Sequence, residues 1–286
     1  MIDLHVHSTA SDGSLAPDAL ATRLARSGIT TFALCDHDTT AGLAAAAAGA
    51  RAGGLGFLAG IEITAVDDGR DVHVLGYGID ATSAPLNTFL AEQRGNRRAR
   101  IVEIEARLAA LGMPITLAAR ESGAGISEDE RSIGRPVVAR ALVAAGYVST
   151  VSEAFERFLL PGCPAFVPRT GAPVPEVIAV ITRAGGVASL AHPATTKRDA
   201  KIESWVEAGL PAIEIWHSDH DAEAVARYSA MAERWGLLAT GGSDFHGDEA
   251  GRECRIGEVG VPADAFARLV SRLGAPARLG LGAGAL

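Results

Sequence analysis

The sequence predicts an α/β barrel interrupted by a helical insertion, on three observations. Short apolar runs alternate with helical periodicity at both ends of the chain, which is the rhythm of βα units. A long central stretch shows helical periodicity alone. Histidines and carboxylates recur at or just beyond the ends of the apolar runs, where barrel enzymes place their chemistry. In order, strands are expected at residues 2–6, 31–34, 56–63 and 72–77, with helices near 17–27 and, rich in alanine, near 40–52. The pattern resumes with strands at 186–190, 212–215 and 237–240. Between them, residues 84–160 carry Ile101, Ile104, Leu108 and Leu111 at helical spacing and no strand signal. Within that stretch, residues 121–132 (ESGAGISEDERS) are rich in Gly, Ser and acids and are expected to form a mobile loop. The barrel is therefore expected over residues 1–83 and 161–286, with residues 84–160 as an inserted helical subdomain.

With 286 residues the chain can bury a sizeable core without staples. Its 48% hydrophobic residues lie mostly in short Ala-, Val- and Leu-rich segments, and no run approaches membrane-spanning length, so no membrane partner is expected. The N-terminus opens directly into Met1-Ile2-Asp3-Leu4-His5, without a basic and then apolar leader, and a cytoplasmic location is expected. The three cysteines, Cys35, Cys163 and Cys254, are widely spaced, offer neither a disulfide framework nor a metal clip, and read as reduced and structural. A formal net charge of −8 argues against a general nucleic-acid surface and against duplex DNA as a partner. A local basic pocket for a small anion or short oligonucleotide remains compatible with it.

His5 and His7 lie two apart at the end of the first expected strand, so both side chains leave one face and can grip one ion; two exposed polar residues are the plainer account. Asp36-His37-Asp38 follows the run 31–35, which would carry His37 to the same barrel mouth. Glu62 sits between Ile61 and Ile63, where a carboxylate is costly to bury unless it is paired in a salt bridge or ligates metal. His73, in Val72-His73-Val74-Leu75, and His192, in Leu190-Ala191-His192-Pro193, repeat the theme, although each alone also fits a hydrogen-bonded core histidine. Asp244 and His246 lie two apart beyond the run 237–240, and Gly241 and Gly242 would let backbone approach a ligand closely. One shared site accounts for this recurrence better than coincidence does. The donors outnumber the needs of one tetrahedral ion, which points to two or three divalent ions sharing a bridging carboxylate, with Glu62 as the bridge. Such mixed donors accept manganese, the expected metal, as well as zinc, iron or magnesium. Arg94, Arg97, Arg98 and Arg100 form a basic cluster that reads either as a phosphate-binding face or as a solvated helix face.

Together these residues resemble the PHP (polymerase and histidinol phosphatase) superfamily over nearly the whole chain. The matching motifs are Asp3-Leu4-His5-Val6-His7-Ser8, Ser11-Asp12-Gly13, Asp36-His37-Asp38-Thr39, Gly60-Ile61-Glu62, His73-Val74-Leu75-Gly76, Ala191-His192-Pro193 and Ser243-Asp244-Phe245-His246. The resemblance implies a distorted seven-stranded βα barrel of the TIM-like kind, with nine metal ligands that all have counterparts here. By that resemblance His5, His7, Glu62 and Asp244 hold one ion, Glu62, His73 and His192 a second, and Asp12, His37 and His246 a third. Asp12 enters only in this way, since spacing alone reads it as a turn residue.

The helical insertion, with Gly134-Arg135-Pro136, residues 139–143 and Pro164-Ala165-Phe166-Val167-Pro168, resembles the branch that hydrolyses 3′,5′-nucleoside bisphosphates and removes 5′ nucleotides from short RNA. Val137 stands where related sequences often carry a histidine. The implied reaction is in-line attack on phosphorus by a water that the ions acidify, in a metal-dependent phosphoric ester hydrolase. His37, Asp244 and His246 could pass protons to the leaving oxygen, although each is already claimed as a ligand. The expected substrate contacts are Arg97, Arg100, Gly134, Arg135 and His220, which matches a recurring family histidine, whereas His217 reads equally as a contact or a surface group. The expected substrate is a small phosphorylated molecule, a nucleotide such as 3′-phosphoadenosine 5′-phosphate or a short oligoribonucleotide. Histidinol phosphate is the rival substrate. A non-catalytic binding module is the rival class, weakened by the intact ligand set.

Overall fold

Seven strands lie side by side in chain order: β1 (Ile2–Val6), β2 (Thr31–Leu34), β3 (Gly56–Asp67), β4 (Arg70–Tyr77), β5 (Val187–Leu190), β6 (Ala212–His217) and β7 (Leu238–Gly242). The structure, a computed structural model, describes residues 1–117, 125–247 and 256–273. Neighbouring strands are parallel except that β4 runs against both β3 and β5. The sheet nearly closes into a barrel: the His7 amide donates to the Phe245 carbonyl at 2.8 Å, and Asp3 accepts from the Ser243 amide and hydroxyl at 3.0 and 2.6 Å.

The expected strands and barrel class are present, with differences at the edges. β3 runs to Asp67 rather than ending near residue 63, because the chain returns directly as β4 through the Asp68-Gly69 turn, where both residues have positive φ (47° and 73°). No crossover helix intervenes, and this antiparallel hairpin is the distortion of the barrel. The alanine-rich helix begins at Leu43 rather than near residue 40, because residues 39–42 form a turn closed by the Thr39 hydroxyl.

Helices α1 (Pro17–Arg26), α2 (Leu43–Ala52), α6 (Val174–Arg183), α8 (Asp199–Glu207) and α9 (Ala222–Trp235) cover the outside of the sheet, and the one-turn α7 (Pro193–Thr196) follows β5. Each presents an apolar stripe, such as Leu20 and Leu24 or Val177 and Ile181, to one continuous core. A second core gathers Leu4, Leu58, Tyr77, Val187 and Ala212 around Phe266 and Leu269 of α10 (Ala263–Arg272). These strand residues lie towards the start of parallel strands or the end of β4, so α10 seals the N-terminal end of the barrel and leaves the C-terminal end open for chemistry.

The described residues between 84 and 160 hold helices and no strand: α3 (Ala84–Ala110), α4 (Arg135–Ala144), α5 (Val151–Ala154) and a π turn at Phe155–Leu159. The 27 residues of α3 span about 40 Å. Its first turns bury Leu86, Phe89 and Leu90 against the barrel, while Ile101, Ile104 and Leu108 pack with Val138, Leu142 and Phe158 in a separate core. Leu111, at the C-cap, is exposed and outside that stripe. Of the loop expected at 121–132, residues 121–124 lie outside the described residues. The rest docks on the barrel, where Glu130 O accepts from the Thr39 hydroxyl at 2.6 Å and the Ser132 amide donates to Ala10 O at 3.0 Å. Cys35 and Cys163 are free thiols, and Cys254 lies outside the described residues. No described helix is long and apolar enough to cross a membrane.

Two glycines give opposite predictions. A Cβ at Gly242 would lie 2.4 Å from the His5 amide nitrogen, so Gly242→Ala should cost on the order of 2 kcal/mol by overpacking. Gly95, inside α3, has open space around its Cβ direction, so Gly95→Ala should add roughly 0.5–1 kcal/mol. Urea unfolding midpoints of the two variants should therefore move in opposite directions from wild type.

Candidate metal centre

The nine residues implied as ligands converge at the open end of the barrel. His5 is in β1, and His7 and Asp12 follow it; His37 follows β2; Glu62 lies in β3 beyond its pairing with β2; His73 is in β4; His192 follows β5; Asp244 and His246 follow β7. His73 reaches this end from the early part of its strand because β4 is antiparallel. Glu62 is the meeting point. Its Oε2 lies 3.4, 3.3 and 3.0 Å from ring nitrogens of His5, His7 and His37, and its Oε1 lies 2.9 and 3.1 Å from those of His73 and His192. Asp244 Oδ1 approaches His7 Nε2 at 3.1 Å and His5 Nε2 at 3.4 Å, and Asp12 Oδ1 approaches His246 Nε2 at 3.1 Å.

These contacts resolve into clusters whose ligand atoms are mutually close enough for one ion. His5, His7, Glu62 and Asp244 form one. His7 and His37 join Asp12 and His246 in another. His37, Glu62 and His73 form a third, beside His192, whose Nε2 is 3.3 Å from His73 Nδ1. The structure thus brings together all nine residues, with His7 and His37 each facing two clusters.

Buried carboxylates that sequence reasoning left without a role hold this arrangement. Asp36 accepts from the Ser8 amide and hydroxyl and the Ser11 hydroxyl at 2.6–2.8 Å, which folds residues 8–13 so that Asp12 turns into the cluster. Glu214 accepts from His5 Nδ1 at 3.1 Å and from the His192 amide at 2.6 Å, fixing two ligands from behind. Its place in β6, between Ile213 and Ile215, is the same signal that singled out Glu62. Gly241 and Gly242 serve strand packing rather than ligand approach: their Cβ positions would meet Trp216 O at 2.5 Å and the His5 amide nitrogen at 2.4 Å. Asp38, His192 and Asp244 have positive φ (49°, 26° and 54°), so backbone strain is concentrated beside the site.

The charges are strongly coupled. Burial acts to raise the Glu62 carboxyl, but His37, His73 and His5 outweigh it and hold it well below the usual range. Asp12 and Asp244 are likewise held well below theirs against burial, with His246 the foremost opposing charge for both. Burial opposes a charge on His7, yet the carboxylates of Asp244 and Glu62 push it up to about 10. His37 goes the other way, lowered mainly by burial.

Beyond this cluster the cavity, of about 270 Å³, is walled by Arg97, Arg100, Arg135 and Arg169, with Gly134, Pro136, Phe155 and Asp71. Arg97 donates to Asp38 Oδ2 at 2.5 Å and to the Thr64 hydroxyl at 2.8 Å; Arg135 donates to Asp71 Oδ2 at 3.2 Å. A Cβ at Gly134 would sit 3.0 Å from Arg97 Nη1, so the glycine makes room for the guanidinium. The basic cluster of α3 divides: Arg97 and Arg100 face the cavity, whereas Arg94 and Arg98 bond the Asp129 carbonyl. Arg169 is the cavity arginine that sequence reasoning missed; burial lowers it to about 9 and Arg100 to about 10. Of the two histidines near β6, His217 lines the cavity, while His220 stands one ring behind and turns Nδ1 to the Ile215 carbonyl at 2.8 Å. The geometry thus puts His217, and not the expected His220, on the cavity wall.

The residues fit divalent cations. His5 Nε2, both ring nitrogens of His7 and His37 Nδ1 are buried without a hydrogen-bond partner, which is costly unless a ligand meets them. They face carboxylates held in their charged form, and His Nδ1 donation to Glu214 leaves the His5 Nε2 lone pair pointing inward. Fold and site together define a metal-dependent phosphoesterase, a hydrolase with an anion-attracting cavity wall of arginines beside its candidate metal centre.

The comparisons agree. The PHP domain family pattern matches residues 3–121. The chain is 36% identical to a 5′-3′ exoribonuclease of Haemophilus influenzae, over 85% of this chain and 89% of that one. It is 34% identical to a 3′,5′-nucleoside bisphosphate phosphatase of Chromobacterium violaceum, over 88% and 90%. A phosphoribosyl 1,2-cyclic phosphate 1,2-diphosphodiesterase of Eggerthella lenta is 32% identical, over 91% and 99%. Among solved structures, a protein of Bifidobacterium adolescentis assigned to the metal-dependent phosphoesterases superposes with a TM-score of 0.86 at 34% identity, covering 96% of each chain. A Chromobacterium violaceum protein described as an amidohydrolase, with bound sulfate and no metal, superposes at 0.83 and 32% identity, covering 96% of this chain and 98% of that one. The chain belongs to the PHP family.

Metal binding should release protons. His7, raised to about 10, and His5 and His192, also raised, hold protons near neutral pH in the metal-free chain, and a cation must displace them. Affinity should therefore strengthen as pH rises towards 10, and calorimetric heats of Mn²⁺ binding should depend on buffer ionisation enthalpy. Heats independent of the buffer would show that the histidines are already neutral.

Proposed function

We propose that the chain removes the 3′-phosphate from 3′,5′-nucleoside bisphosphates such as 3′-phosphoadenosine 5′-phosphate, and that it also acts on short RNA from the 5′ end. One observation carries this reading. The cavity has two anion-attracting ends, the candidate metal centre and a wall of four guanidiniums that, among the described residues, pair with two carboxylates, Asp38 and Asp71. A substrate with two separated phosphates suits both ends at once. The cationic amine of histidinol phosphate would instead meet arginines. The names of the Haemophilus and Chromobacterium relatives, and the sulfate in the Chromobacterium structure, support an anionic nucleotide substrate. The Eggerthella relative supports a second reading, a phosphorylated cyclic phosphodiester, which the same two ends would also accept.

Divalent ions, manganese first among them, would be held by the nine ligands and would supply charge neutralisation and a more acidic water. The chain's own residues do the rest. Glu62, clasped by five imidazoles, fixes the spacing of the clusters. Arg97 and Arg135, each anchored through an aspartate, orient the second phosphate, with Arg100 beside them. His37, Asp244 and His246 line the cavity, which supports their passing protons to the leaving oxygen. Residues 84–160 act as the substrate-binding subdomain, in a cytoplasmic enzyme.

Phosphate release from 3′-phosphoadenosine 5′-phosphate should require Mn²⁺ and stop with chelator, and should exceed release from histidinol phosphate. Converting both His5 and His7 to Ala should abolish turnover together with metal content; full activity without bound metal would refute the site. Arg135→Ala should raise KM roughly 10–100-fold, the loss of charge-assisted bonds, with less effect on kcat. An unchanged KM for the bisphosphate would remove the arginine wall from recognition.

A further inference from the structure

Among the site histidines, His5, His192 and His246 are wired one way and His217 the opposite way. At His5, His192 and His246, Nδ1 faces an acceptor: Glu214 Oε1 at 3.1 Å, Thr195 Oγ1 at 2.8 Å and the Asp244 carbonyl at 2.8 Å. The Thr195 hydroxyl spends its own hydrogen on the His192 carbonyl, so it too must accept. In each case the hydrogen sits on Nδ1, and Nε2 offers a lone pair to a cation. At His217 the direction reverses: the Asp219 amide donates to Nδ1 at 3.0 Å. Nδ1 therefore holds a lone pair, and Nε2 carries the hydrogen.

His217 lines the cavity, and its Nε2 is buried without a hydrogen-bond partner, with Asp244 Oδ2 at 3.6 Å. Its aim is built into the strand. β6 is bulged between Glu214 and Trp216, so Glu214 and His217, an odd number of residues apart, both turn towards the site. Gly241 makes the bulge possible by admitting the Trp216 carbonyl. The turn beyond is pinned by the Ser218 hydroxyl on the Ser243 carbonyl at 2.7 Å and by the His220 amide on the His217 carbonyl at 3.0 Å.

We propose that His217 is a catalytic hydrogen-bond donor, whose Nε2–H meets an oxygen of the substrate's phosphoryl group, and that it is not a metal ligand. His5, Glu214 and His217 lie close enough to suggest an ion among them. The wiring speaks against it: both Glu214 oxygens are engaged, by His5 and by the His192 amide, and Nε2 of His217 has no lone pair to give. As the P–O bond breaks, negative charge grows on the phosphoryl and leaving oxygens. A fixed N–H there stabilises it without reorganisation and keeps its own hydrogen throughout. Nδ1 is occupied by the Asp219 amide, so His217 acts through its Nε2–H. This rests on the phosphoester reading above but not on which ester is cleaved.

The test uses the full chain loaded with Zn²⁺ or Mn²⁺, wild type and the variants His217→Ala and His217→Gln. Nitrogen-15 NMR of the zinc form, with His217 assigned through the Gln variant, should show the Nε2–H tautomer. Both variants should retain the wild-type metal content. Inorganic phosphate should bind about tenfold more weakly to the Ala variant, and kcat on a phosphate ester should fall roughly 100-fold, with partial recovery in Gln, which keeps an N–H donor. Loss of an ion, an Nδ1–H tautomer, or unchanged phosphate affinity would overturn the proposal. Should neither variant fold, the wild-type tautomer decides alone, with assignment from its contacts to His5 and His192. Should no ester be turned over, the function fails separately, while tautomer, metal content and phosphate affinity still judge His217.

Discussion

A single carboxylate, Glu62, is buried where five imidazoles meet, and the rest of the structure is arranged around that constraint. A lone charge in such a place is prohibitively costly, so its partners must be held within contact distance by the fold itself. In the metal-free chain the surrounding imidazoles, His37, His73 and His5 foremost, hold the Glu62 carboxyl low, while the carboxylates of the site raise His5, His7 and His192. Divalent cations can take over that role, and their exchange with protons links metal affinity to pH. The strain at Asp38, His192 and Asp244, and the close strand approach allowed by Gly241 and Gly242, are the backbone's part in keeping the donors converged.

The second organising feature is the separation of charge along the cavity. Histidines and carboxylates gather at one end and guanidiniums at the other. Asp38 and Asp71 stand between them: Asp38 follows the ligand His37 in sequence while its carboxylate holds Arg97, and Asp71 is shared by Arg100, Arg135 and Arg169. These aspartates leave the arginines short of full neutralisation, as burial shows in lowering Arg169 and Arg100. An anionic substrate completes the balance. The α3 helix joins the two ends mechanically, with its early turns in the barrel core and its later turns in the core of the helical region.

The βα rhythm is legible in the sequence because its apolar runs have the lengths and spacing that strands and covering helices require. The histidines at strand ends are legible because a barrel sends such positions to one mouth. Other features are set by geometry that linear patterns do not encode. The reversal of β4 depends on the Asp68-Gly69 turn, and without it His73 would lie at the wrong end of its strand. Asp12 looks like a turn residue because its direction is set by Asp36, distant in sequence. His217 reaches the cavity through a bulge that shifts the alternation of β6 by one, which no linear pattern encodes, while His220, expected from the family resemblance, stands one ring behind. Arg169, isolated in sequence after Pro168, meets the other arginines only through the packing of the chain beyond the π turn. Glu214, by contrast, could have been found by the criterion applied to Glu62.

The most direct measurement is anomalous diffraction from crystals soaked in Mn²⁺. The account predicts peaks on both sides of Glu62, within ligand distance of its two carboxylate oxygens and of the histidines that face them. Absence of ordered metal around Glu62, or peaks confined to sites that it does not touch, would contradict it.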